Sequence, residues 1–262
     1  MTRPRFIPLL LLQGTGLVKT VRFRKPSYLG DPINIIKIFN DKEVDELFLL
    51  DIGATPQRRG PNLRYLADVV SEAFVPLAYG GGISTIEEMH ELFRLGIEKV
   101  VLNTGAAEDP LLVRRAADAF GSQAVVVCID ARPRLLGGYR VWKRGGRQRT
   151  SYDPVSFAVM MREAGAGELV VQAIHRDGTW RGYDLPLIKA VASAVDVPVV
   201  AAGGAGSVED LKLAVGWGGA SAAAAGSLFV YQRTHRAVLV SFPARAELDA
   251  VAGPAAGAGS RA

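Results

Sequence analysis

The chain has 262 residues, 49% hydrophobic and 22% charged, and its 29 glycines and 14 prolines are scattered along the whole length. That composition excludes disorder, collagen and a linker-rich protein. A net charge of +5, from 31 basic and 26 acidic residues, with no Lys/Arg stripe interleaved with aromatics, points to an anionic small ligand and away from nucleic acid.

Arg5 to Leu12 holds the apolar run Phe6 to Leu12, broken by Pro8 and closed by the turn Gln13-Gly14-Thr15-Gly16. Too short for a signal peptide and without a small-residue cleavage site, it reads as a buried strand. Leu17 to Phe23 reads as a hairpin or long loop inserted after it. Seven further β-rich runs follow, at Leu47 to Ile52, Pro76 to Tyr79, Lys99 to Asn103, Ala124 to Asp130, Glu168 to Ile174, Pro198 to Ala202 and Ala220 to Ala225. Helix caps lie between them: Asp31-Pro32, Pro61-Asn62, Ser84 to Glu87 with the spacing of a capping box, Asp109-Pro110, Asp153-Pro154, Asp184 and Ser207 to Asp210. Gly138 to Arg149 is a second hairpin or long loop, inserted after the fifth strand, and its basic part Arg140 to Arg149 either contacts a substrate or, in the favoured reading, stays solvated.

Eight strand–helix units make this α/β chain a (β/α)8 TIM barrel, one domain over 1–250, with an Ala/Gly-rich tail at 251–262 expected to be disordered. No apolar stretch is long enough to cross a membrane, so no membrane partner is expected. The single cysteine, Cys128, lies in an apolar run, reads as a buried structural thiol and fits a reducing cytoplasm. No metal or cofactor is expected.

An internal repeat adds to this. Gly80-Gly81 and Gly203-Gly204 lie 123 positions apart, and the same offset pairs Ser84 with Ser207, Glu87 with Asp210, Gly96 with Gly219 and Thr104 with Ser227. The barrel therefore reads as two fused half-barrels. Each Gly-rich segment follows a strand and opens a helix, where backbone N–H groups can approach a phosphate. Each also has a hydroxyl neighbour at the next strand end: Asn103-Thr104-Gly105 in one half, Gly226-Ser227 in the other. Tight turns alone would explain one such segment; two in matching positions predict a substrate with two phosphate ends.

Asp51, Asp130 and Asp177 stand at or just beyond strand C-termini, where acid–base groups sit in this fold. Asp177 could equally be a turn carboxylate beside Gly178, and His175 adds a lower-ranked acid–base group. At the opposite face Arg5, Glu46, Lys99 and Glu168 begin strands, and their alternating signs allow a closed ring that plugs the axial end.

With these residues assembled, the sequence resembles the cyclase subunit of imidazole glycerol phosphate synthase from Arg5 to about Phe229. The shared stretches are Gly121 to Ala131, Arg176-Asp177-Gly178-Thr179 with Gly182-Tyr183-Asp184, and the two Gly-rich clamps. The resemblance implies a phosphorylated small-molecule substrate, and a glutaminase partner docked on the N-terminal barrel face. It also implies that Arg5, Glu46, Lys99 and Glu168 gate an axial ammonia channel. Catalytic roles fall to Asp130 and Asp177; substrate and phosphate contacts fall to Lys19, Asp51, Gly81, Gly82, Asn103, Thr104, Thr179, Gly203, Gly204, Gly226 and Ser227.

The family pattern also places an aspartate at the end of the first strand, where this chain has Leu11. Ala173 and His175 likewise replace a serine and an aspartate. Leucine moves no proton, and losing such a group removes about 10²- to 10⁴-fold in rate. The runs Gly16 to Val21, Gly30 to Asn34 and Asp41 to Leu47 resemble a branch linked to acetamidino modification of surface-polysaccharide sugars, in which ammonia goes to an amidating sugar enzyme. That reading is favoured. The alternatives are imidazole glycerol phosphate synthesis in histidine biosynthesis, and a catalytically silent ammonia conduit that activates its glutaminase.

Overall fold

The structure, a computed structural model, describes residues 3–232 and 237–252. The tail expected at 251–262 falls, beyond Ala252, outside the described residues. Among the described residues no helix is long and apolar enough to cross a membrane.

Strand β1 (Arg5–Gln13) continues into the antiparallel strands β2 (Gly16–Val21) and β3 (Arg24–Gly30), so the first insert is a hairpin that reaches seven residues past Phe23. Helix α1 (Pro32–Asp41) and strand β4 (Leu47–Asp51) follow, then α2 (Leu63–Val70), β5 (Leu77–Gly80), α3 (Ile86–Leu95) and β6 (Lys99–Leu102). The short α4 (Thr104–Glu108) and α5 (Pro110–Phe120) lead to β7 (Val125–Pro133), which carries the second hairpin, β8 (Tyr139–Lys143) and β9 (Gln148–Arg149). After α6 (Pro154–Glu163) come β10 (Glu168–Ala173), α7 (Leu185–Ala192), β11 (Val199–Ala202), α8 (Val208–Gly216), β12 (Ala222–Ala225) and α9 (Ser227–Val230). A small antiparallel pair, β13 (Tyr231–Gln232) with β14 (Ala237–Val238), precedes α10 (Arg245–Ala252).

β1, β4, β5, β6, β7, β10, β11 and β12 pair in parallel, and β12 returns to β1, which closes an eight-stranded (β/α)8 barrel. Because side chains alternate along a strand, each strand fills two layers. Ile7, Leu9, Phe48, Ala78, Val126, Val170 and Val200 pack on the barrel axis, while Phe6, Leu10, Leu47, Tyr79, Val127 and Leu169 pack against the helices. The strands are buried on both faces and read as continuous apolar runs for that reason.

The strand register shows which positions correspond in the two halves of the barrel. From Leu11 it steps through Leu50, Gly80 and Val101 to Val126, four residues before Asp130. From Asp130 it steps through Gln172, Ala202 and Ala224 to Ile7, four residues before Leu11. Leu11 and Asp130 thus occupy equivalent positions in the two halves.

Two expectations about the repeat need correction. Gly80 and Ala202 are the equivalent strand ends, so Gly81-Gly82 match Gly203-Gly204 at an offset of 122. The offset becomes 123 only after the following helix, because the second copy holds one more residue before Gly219. The capping box of α3 is accordingly Thr85 with Glu88, not Ser84 with Glu87. Thr85 Oγ1 accepts from Glu88 N at 3.2 Å and Glu88 Oε2 accepts from Thr85 N at 3.0 Å, as Ser207 and Asp210 do for α8. Thr85→Ala should therefore cost about 1 kcal/mol in chemical denaturation. Ser84→Ala should cost less.

Asp31, Asp109, Asp153 and Asp184 cap α1, α5, α6 and α7 through their side chains, each with proline in the first two helical positions, as the sequence predicts.

Candidate active site at the C-terminal mouth of the barrel

A cavity of about 200 Å³ opens at the C-terminal ends of the strands. Strand residues that line it are Leu9, Leu11, Leu50, Val101, Cys128, Asp130 and Gln172. Gly81, Gly82, Asn103 and Thr104 line it too, as do Phe23 and Pro26 from the first hairpin and Gly145 and Arg147 from the second.

Asp130 is buried, and the Cys128 thiol donates to its Oδ1 at 3.5 Å. Burial pushes its pKa up to about 7 and the nearby Asp177 adds to the rise, against the Cys128 hydrogen bond. A carboxyl poised there can both give and take a proton near neutrality. Its equivalent across the pseudo-twofold axis, Leu11, is 6% exposed and can do neither.

Asp177 also lines the cavity but is heavily engaged. It accepts from Thr20 Oγ1 at 3.1 Å and from Gln172 Nε2 at 3.3 Å, and the buried Lys19 Nζ lies 3.7 Å away. Asp51 accepts from the N–H groups of Gly53 and Ala54 at 2.9 and 3.0 Å, and Arg59 pairs with it at 2.8 Å. These bonds commit its carboxylate to shaping the loop after β4. Thr179 Oγ1 donates within its own loop to Arg176 O at 2.6 Å.

The two Gly-rich segments differ in place: the first borders the cavity, whereas Gly203, Gly204, Gly226 and Ser227 are not among its lining residues. Gly81, Gly82, Asn103 and Thr104 all border the cavity. At Gly81, φ is +127° and an added Cβ would fall 2.4 Å from Asp51 O, so only glycine fits. In the second clamp, a Cβ on Gly204 would fall 2.2 Å from Gly182 O, and one on Gly226 would fall 2.6 Å from Lys19 Nζ. The ammonium of Lys19 thus sits at Gly226, next to Ser227.

His175 belongs to another cluster. Its Nε2 lies 3.2 Å from Asp184, whose two oxygens accept from Tyr139 OH at 3.0 and 2.9 Å, and burial lowers its pKa. The group ties the second hairpin to the start of α7.

At the N-terminal end of the barrel the four predicted charges form a closed ring. Arg5 bridges Glu46 and Glu168, and Lys99 Nζ bridges the same two at 2.8 and 3.0 Å. Burial, only partly offset by Lys99, raises the pKa of Glu46.

A family model described as histidine biosynthesis protein matches residues 5–235. The chain belongs to that family. A Pseudomonas aeruginosa member, "Putative imidazole glycerol phosphate synthase subunit hisF2", is 50% identical over 249 residues, 95% of this chain and 99% of that protein. The Trichormus variabilis family member named imidazole glycerol phosphate synthase subunit HisF is 42% identical over 234 residues, 88% of this chain and 91% of that protein. A Leptospira interrogans relative, "Putative imidazole glycerol phosphate synthase subunit HisF", is 41% identical over 252 residues, 96% and 99% of the two chains. The family match covers both half-barrels, the cavity and the ring.

Sequence reading missed Thr20, Gln172 and Phe23 as site residues. Gln172 carried a usable signal, because period-2 alternation places it on the same inward face as Glu168 at the ring. Thr20 and Phe23 carried none, since their place depends on how the hairpin folds back over the mouth.

Proposed function

We propose that this family member is the ammonia-using barrel of a two-protein synthase, with a glutaminase partner on its N-terminal face and a phosphorylated substrate in the C-terminal cavity. One observation carries it: the charged ring and the Asp130 cavity terminate the same barrel axis, at opposite ends. The ring gates ammonia entry; the cavity holds the acceptor; Asp130 moves the protons. Lys99→Ala should abolish most glutamine-driven turnover in the reconstituted complex while leaving ammonium-driven turnover within about twofold. Equal loss with both nitrogen sources would sink the gate assignment.

Two acceptors have support. Closure of the imidazole ring in histidine biosynthesis is supported by the names of the relatives and by the open first clamp. Amidination of a surface-polysaccharide sugar is supported by Leu11, which leaves one carboxyl where ring closure uses two, and by the branch-like N-terminal runs; the relatives' names do not speak for it. The experiment supplies ammonium salt and the aminoimidazole-ribonucleotide bisphosphate and follows loss of that substrate. Turnover at an ordinary enzyme rate of about 1–10³ s⁻¹ establishes ring closure. No turnover by folded protein, rescued by Leu11→Asp, establishes another acceptor.

A further inference from the structure

The two hairpins at the cavity mouth, residues 16–30 and 131–152, carry eleven Lys and Arg and not one Asp or Glu. Half-barrel symmetry says which of these cations should serve a clamp. In the first half Leu11 pairs with Val18, and the next residue is Lys19; in the second, Asp130 pairs with Trp142, and the next is Lys143. Each hairpin leans across the junction onto the other half's clamp, since β1 adjoins β12 and β7 adjoins β6. Lys19 reaches Gly226 in this way.

Lys143 does not do the same. Its Nζ is held by Glu108 at 2.8 Å, and Arg144 is held by the same oxygen at 2.9 Å. The backbone nevertheless stays over the first clamp: Asn103 Nδ2 donates to Trp142 O at 3.3 Å, and Arg144 N donates to Thr104 Oγ1 at 2.9 Å. Four residues beyond Lys143, Arg147 lines the same cavity as Gly82, Asn103 and Thr104. Among the described residues Arg147 makes no ion pair.

We infer that Arg147 is the cation of the first clamp, a substrate-binding residue that takes over there the part Lys19 plays at the second. The inference rests on the phosphate reading of the clamps and adds to it the residue that selects a dianionic group at that end. A guanidinium suits the task, because its fork can meet two phosphate oxygens at once.

The test titrates the full-length protein with inorganic phosphate and follows backbone amide signals of Gly82 and Thr104 for the first clamp, Gly204 and Ser227 for the second. Arg147→Gln should weaken phosphate at the first clamp at least tenfold and change the second less than twofold. Lys19→Gln should do the reverse, Lys143→Gln should change neither by more than twofold, and Arg147→Lys should recover most of the loss. First-clamp affinity unchanged in Arg147→Gln, or an equal loss in Lys143→Gln, overturns the inference while the clamps stand. Phosphate that moves neither set of amides in the unsubstituted protein removes the clamp reading itself, and the inference with it.

Discussion

Asp130→Asn should lower ammonia-driven turnover by about 10²- to 10⁴-fold and yet make the folded protein more stable above neutral pH. The first effect follows from the proposed function, because Asp130 is the cavity carboxyl not already held by a cation or by the loop that carries it. The second follows from linkage. Burial raises the folded-state pKa from 3.8 to about 7, above that of the unfolded chain. The neutral acid therefore contributes stability that is fully present below about pH 4 and lost as pH rises through about 7. Asparagine cannot ionise and escapes that loss. In denaturation curves the variant should exceed the parent by up to about 4 kcal/mol at pH 8, and the two should converge near pH 4. A variant less stable than the parent at pH 8 would show that the Asp130 carboxylate is solvated or paired, and that its pKa is ordinary.

Leu11→Asp should act in the opposite sense on both counts. The ladder makes position 11 the equivalent of position 130, and Leu11 borders the cavity. A carboxyl there would face the same substrate from the other half-barrel and supply the second proton-transfer group. Turnover of the aminoimidazole-ribonucleotide bisphosphate with ammonium salt should rise about 10²- to 10⁴-fold. Stability should fall by about 2–3 kcal/mol, since Leu11 packs with Leu9 and Val18 in the axial apolar layer and the new carboxyl enters partly desolvated. Parallel rate and denaturation measurements separate the two effects. Unchanged turnover in a folded Leu11→Asp protein would mean that the missing aspartate does not limit the parent.

The barrel was legible in the sequence because its eight strands are buried on both faces and write themselves as Val, Ile, Leu and Ala runs between capped helices. The ring was legible because charges at strand starts have few places to go but one another. The capping box slipped by one residue because Ser84 and Thr85 are both good caps; only the strand-to-helix turn, which makes Gly80 a strand end, decides between them. Asp51 looked catalytic at the end of β4, but Gly53, Ala54 and Arg59 turn it into a loop support through contacts within eight residues that spacing alone does not orient. The basic insert read as solvated. Its backbone bonds to Asn103 and Thr104, which bring Arg147 to the cavity, are long-range contacts that composition does not encode.

The most direct measurement uses the reconstituted complex of the Leu11→Asp protein with the proposed glutaminase partner, the bisphosphate substrate, amide-¹⁵N glutamine and a large excess of unlabelled ammonium at a pH low enough to keep free ammonia scarce. Product nitrogen is then read by mass spectrometry. Nitrogen that travels from the ring at Arg5, Glu46, Lys99 and Glu168 to the cavity at Asp130 should appear in product with its ¹⁵N almost undiluted, and Lys99→Ala should erase that enrichment. Product carrying the isotope ratio of the bulk solution with Lys99 intact would contradict an axial route through the barrel.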